Sequence, residues 1–111
     1  MFKKADFDVA LKFPWCDSLL RVTVSGWEVN LEGHAFGLRK QDGKWIVTDI
    51  DTGYAVGAKG VTRGEAVAVL EERFLPAYLR TVEYDYYRDY VRAFEEMPRL
   101  RRESAAGLRI G

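Results

Sequence analysis

From residue 19 onward, apolar and polar side chains alternate along the chain. Leu20, Val22 and Val24 interleave with Leu19, Arg21 and Thr23, the period of two that a half-buried strand requires. Ser25-Gly26 reads as a tight turn, after which Trp27, Val29 and Leu31 alternate with Glu28, Asn30 and Glu32. Gly33-His34 breaks this second strand, and Phe36, Leu38 and Arg39 carry a third. Gln41-Asp42-Gly43-Lys44 closes a hairpin, because Asp-Gly supplies the two positive-φ residues of a type I′ turn. Residues 44–50 are rich in β-branched and aromatic side chains, and Asp51-Thr52-Gly53 turns into a short last strand at residues 54–57. Residues 1–17, interrupted by Pro14, are expected to be irregular.

The period then changes. Thr62-Arg63-Gly64-Glu65 is a capping box, in which the threonine hydroxyl accepts from the backbone three residues on and the glutamate reaches back. The helix it opens carries a core-facing arc of Ala66, Val67, Leu70, Phe74, Ala77 and Tyr78, with Pro76 expected to kink or divide it near Leu75. Trp27 or Trp45, with Leu70 and Phe74, is expected between sheet and helix. A second helix is expected over residues 82–97, ended by Pro98, and residues 99–111 read as a basic, flexible tail. The fold class is α+β, an antiparallel β-meander of about five strands followed by two helices packed on the sheet. A chain of 111 residues accommodates it as one domain.

Composition narrows the function classes. Apolar residues make up 48% and charged residues 31%, a globular profile. Lysine plus arginine and aspartate plus glutamate number 17 each, so no global field draws the chain to nucleic acid or an anionic membrane. Cys16 is the single cysteine, which excludes an intramolecular disulfide and favours a reducing compartment. No apolar run approaches a bilayer span, and residues 1–11 lack the core of a signal peptide, so the expectation is a cytoplasmic protein.

The chemical inventory is sparse. With one histidine and one cysteine, and no nucleophile elbow, phosphate loop or metal-ligand pair, the chain is expected to have no catalytic residues, metal or cofactor. Cys16 and His34 read as an ordinary buried thiol and a loop histidine rather than a dyad. Asp49 and Asp51 are spaced to face one side as a carboxylate pair, but Gly53 and Gly60 miss the EF-hand pattern, and a solvated turn role is expected. Gly57, Gly60 and Gly64 do not make a dinucleotide fingerprint.

Aromatic residues are more informative, since Phe, Trp and Tyr form 14% of the chain and four of six tyrosines lie between Tyr84 and Tyr90. On a helical wheel Tyr87, Val91 and Phe94 centre an apolar arc of about 160°, wider than the stripe of roughly 100° that one core requires. Core packing accounts for the centre. The margins, with the acids beside them, give a candidate partner-binding face of Tyr84, Asp85, Tyr86, Asp89 and Tyr90, because tyrosine presents a ring and a hydroxyl at low entropy cost.

Gly43-Lys44-Trp45, a hairpin, and the stretch from Gly57 to Ala66 that opens a helix resemble the arm-type DNA-binding domain of phage integrases. The same stretch is similar to HicB-like antitoxins. The integrase resemblance implies nucleic-acid contacts by Arg39, Lys40, Lys44 and Thr48 on an exposed sheet. Residues 27–51 hold five acids against three basic residues, however, a net negative sheet unsuited to phosphates. In general character the chain also resembles small accessory inhibitors of phages and mobile elements, anti-CRISPR proteins among them. The expectation is therefore a non-enzymatic inhibitor that binds a host protein or nucleoprotein complex. A small DNA-binding domain or a homodimeric antitoxin-like regulator is the alternative.

Overall fold

The alternation found from Leu19 onward does form an antiparallel sheet, but its strands are divided differently from that expectation. A computed structural model describes residues 2–100. The strands are β1 Lys3–Lys12, β2 Leu19–Leu31, β3 His34–Gln41, β4 Lys44–Asp49 and β5 Ala55–Gly60, paired in sequence order. Helices α1 Arg63–Val69, α2 Leu75–Thr81 and α3 Asp85–Glu96 follow, with a π-helical turn, Leu70–Phe74, joining the first two. The α+β meander is as expected. The irregular N-terminal segment is not, because ten of its residues form β1 and pair with β2 from Lys3↔Glu28 to Lys12↔Leu19.

The Ser25-Gly26 turn is also corrected. Both residues lie inside the 13-residue strand β2, opposite Asp6 and Ala5. Glycine is needed there for close approach: a Cβ on Gly26 would stand 2.1 Å from the Leu38 carbonyl oxygen and 3.0 Å from the Phe7 ring. One missed strand and one false turn therefore cancelled in the strand count. The Asp42-Gly43 hairpin holds, with φ of 52° and 78°, and Glu32-Gly33 repeats it with 51° and 80°. His34 is consequently the first residue of β3, and is buried rather than in a loop.

One face of the sheet carries the helices. Val29, Phe36, Leu38, Val47 and Ala58 pack there against Ala66, Val67, Leu70 and Leu75. The Ala10 N–H donates to the Gly53 carbonyl at 2.9 Å, so the outer edge of β1 meets the β4–β5 turn and the sheet is curled. A second cluster of Phe7, Val9, Leu20 and Val22 packs on the opposite face with Ile50. Trp27 and Trp45 are half-buried and bracket the Arg63 guanidinium at 4.1 and 5.7 Å from their ring centres, pinning the start of α1 to the sheet. The forward half of the capping box is present, with Glu65 N–H donating to the Thr62 hydroxyl at 3.1 Å, while the Glu65 carboxylate reaches back to the Val61 N–H at 3.4 Å rather than to that of Thr62.

Pro76 acts through the π turn. It lacks the N–H for the carbonyl four residues back, and the widened turn, closed by Leu75 N–H to the Leu70 carbonyl, absorbs the defect. The extra residue advances the downstream face by about 100°. Leu75 therefore takes the buried position, Phe74 and Tyr78 are half-buried, and Ala77 is exposed. Leu75→Ala is expected to cost about 2–4 kcal/mol and Phe74→Ala about half of that, read from urea midpoints at constant slope. A Phe74→Ala cost exceeding that of Leu75→Ala would contradict the shifted phase.

Two residues of the expected tail are docked. Arg21 N–H donates to the Pro98 carbonyl and Leu100 N–H to the Arg21 carbonyl, at 2.9 and 3.0 Å. Arg99 and Arg21 both pair with Asp8, and the Arg99 hydrogen bond leads those that hold the Asp8 carboxyl below the usual carboxylate range. The rest of the basic tail, residues 101–111, lies outside the described residues.

Candidate functional site

Register places Asp49 opposite Phe36 on the helix-covered face, and His34 lies two residues from Phe36 on that same face. Asp49 has no solvent exposure, which corrects the solvated turn role expected of it. Its carboxylate is enclosed by donors. At Oδ1 it meets His34 Nε2 at 3.0 Å and the Asp51 N–H at 3.0 Å. At Oδ2 it accepts from the Thr52 hydroxyl at 3.2 Å and from the phenols of Tyr78 and Tyr87. Strand β3, the β4–β5 turn, α2 and α3 thus each send a donor to one buried acid.

These contacts set the charges. Burial pushes the Asp49 carboxyl up, but the hydrogen bonds from His34, Tyr78 and Tyr87 outweigh it and the carboxyl titrates below its ordinary value. The Asp49 hydrogen bond raises His34 against its own desolvation. Burial, then the bond to Asp49, push both phenols far above the usual tyrosine range, so they stay protonated as donors. Asp51, at the rim, is raised by desolvation and by the neighbouring Asp49 charge.

Outside this centre lies an open groove of about 520 Å³. Its floor is Thr52, Tyr78, Thr81 and Tyr87, and its walls are Tyr54, Tyr86 and Tyr90. The wall rings meet edge to face, Tyr54 with Tyr90 at 6.0 Å and Tyr86 with Tyr90 at 6.4 Å between centroids. Tyr86 and Tyr90 are 49% and 51% exposed, whereas Tyr87 between them is 7% exposed, so the α3 tyrosines divide between surface and core.

The structure brings some of the anticipated residues together and scatters others. Tyr84 stacks on Tyr86 at 5.6 Å and extends the exposed ridge beyond the groove. Asp85 pairs with Arg88 at 2.6 Å on the solvent side, and Asp89 is exposed on the same helix. The anticipated nucleic-acid set does not share one exposed face. Arg39 and Thr48 are buried, and cross-strand pairing puts the exposed Lys40 and Lys44 on opposite faces. Arg39 Nε has no hydrogen-bond partner among the described residues, and desolvation lowers that side chain's pKa. Sequence reasoning missed His34, Asp49, Thr52, Tyr54 and Tyr78 as parts of one site. The available signal was that Asp49 falls in phase with the apolar Trp45 and Val47.

His34, Asp49 and Asp51 can each present a ligand atom within 4.8 Å of the others. A cation bridging His34 and Asp49 would have to break their 3.0 Å hydrogen bond and displace donors from the Asp49 oxygen it used, so the cluster is already satisfied without one. Cys16 packs beside the second cluster, on the other face of the sheet from His34. No helix among the described residues is long and apolar enough to cross a membrane. Comparison with protein-family models, curated proteins and solved structures finds no match for this chain.

Proposed function

We propose that this protein is a non-enzymatic binding module that holds a segment of a protein partner in the tyrosine groove. The carrying observation is the exposure of Tyr54, Tyr86 and Tyr90 around a groove whose base is fixed by a buried hydrogen-bond network, with exposed Tyr84 continuing the ridge. Exposed rings on a rigid base lose little entropy on binding, which is the character of interface hot spots. Absence of catalysis is part of the proposal: the one histidine is buried and bonded to Asp49, and the carboxylate has no open lone pair directed at solvent. An accessory inhibitor acting on the basic surface of a host nucleoprotein complex is the narrower form of the same reading. Asp89, exposed beside the ridge, favours such a partner.

A peptide-display selection on the full chain tests this proposal, with each enriched peptide then measured against a Tyr86→Ala/Tyr90→Ala variant. Enriched peptides are expected to lose about tenfold or more in affinity on the double variant. Peptides that bind wild type and variant equally, or a selection that enriches nothing, would overturn the proposal.

A further inference from the structure

The floor of the groove has an unusual hydrogen-bonding character. A hydroxyl has one proton to donate and two lone pairs to accept with. Thr52, Tyr78 and Tyr87 all direct that proton to Oδ2 of Asp49, and Thr81 directs its proton to the Tyr78 carbonyl at 2.6 Å. All four floor hydroxyls have therefore used their donor internally, so what they offer a ligand is acceptor capacity, of which Thr52 already directs part to the Tyr54 N–H at 3.4 Å and Tyr87 part to its 3.4 Å contact with His34 Nε2. Each of the three oxygens bonded to Asp49 is polarised further, because a hydroxyl that donates to a carboxylate becomes a better acceptor. The walls add the aromatic rings of Tyr54, Tyr86 and Tyr90, and no cationic side chain among the described residues lines the groove.

We propose that the groove is a receptor for the cationic side chain of arginine or lysine, the guanidinium or ammonium donating to the floor hydroxyls between the tyrosine rings. An anionic or purely acceptor ligand would meet acceptors and is excluded by the same geometry. An uncharged apolar segment would leave the remaining floor lone pairs dry and unpaired. Arginine fits best, since its planar guanidinium carries five donors and stacks on aromatic faces. The inference rests on the binding-module reading and specifies what that module recognises.

The test is titration of Nα-acetyl-arginine methylamide into the full chain, followed through the tyrosine ring resonances, beside the citrulline analogue of the same shape without the charge. The arginine compound is expected to shift the Tyr54, Tyr86 and Tyr90 signals and to bind about fivefold or more tightly than the citrulline compound, with a comparable loss on Tyr90→Leu. Equal binding of the two compounds, or no movement of those rings with either the arginine or the matching lysine compound, overturns the assignment. The two readings fail separately. Display peptides that depend on Tyr86 and Tyr90 but contain no arginine or lysine would remove the cation assignment and leave the binding module in place.

Discussion

Asp49→Asn is expected to destabilise the protein by about 3–5 kcal/mol at pH 5.5, much of the stability of a domain this size. The side chains are nearly isosteric, so the loss is one of hydrogen bonding and charge rather than volume. An amide offers one acceptor oxygen and one donor group, whereas both positions at Asp49 face donors. Placing the oxygen at Oδ2 keeps Thr52, Tyr78 and Tyr87 satisfied but turns the NH2 toward the Asp51 N–H and His34; the other orientation turns it toward three hydroxyls.

The loss also depends on pH with a definite sign. His34 is raised above its ordinary value of 6.5, so its contribution is complete below 6.5 and fades as pH rises through the folded value. Asp49 is lowered below 3.8, so its contribution is complete above 3.8 and fades as pH falls through the folded value. The pair therefore stabilises most between those two limits. At pH 8 a neutral His34 can accept from the asparagine NH2, and the cost of Asp49→Asn should drop to about 1–3 kcal/mol. Urea midpoints of the two proteins at pH 5.5 and 8 check both statements. A variant as stable as wild type at pH 5.5 would contradict the central position given to Asp49.

Local rules made the meander, the Asp42-Gly43 turn and the Thr62 cap legible, because each depends on residues adjacent in sequence. Strand β1 was legible in principle: Ala5, Phe7, Val9 and Leu11 alternate with Lys4, Asp6, Asp8 and Ala10, and only the weight given to Pro14 hid it. Gly26 could not be read locally, since its reason is the carbonyl of Leu38 on the next strand. The same holds for the site. His34, Asp49 and Tyr87 are brought together by strand register and helix docking across separations of 15 to 53 residues, which no spacing in the chain encodes. The tyrosine margins of α3 were visible because a helical wheel is itself local. Their division into a core Tyr87 and exposed Tyr86 and Tyr90 follows from an apolar arc wider than one core contact can cover.

That division separates binding from folding, because a binding ridge must be dispensable for folding while the floor beneath it must not be. Tyr87→Ala removes a ring that is 7% exposed together with a donor to the buried carboxylate, and should cost about 3–5 kcal/mol, leaving a protein that is marginal or unfolded. The Tyr86→Ala/Tyr90→Ala variant removes two rings that are each about half in solvent and bond to nothing in the network, and should stay within about 1 kcal/mol of wild type. The measurement is the stability of these two variants beside wild type, by urea denaturation, with binding of a display-selected peptide followed on whichever of them remains folded. A folded double variant that no longer binds is expected, next to a Tyr87→Ala protein that has lost most of its stability. A double variant that unfolds as readily as Tyr87→Ala, or one that folds and still binds, would contradict that expectation.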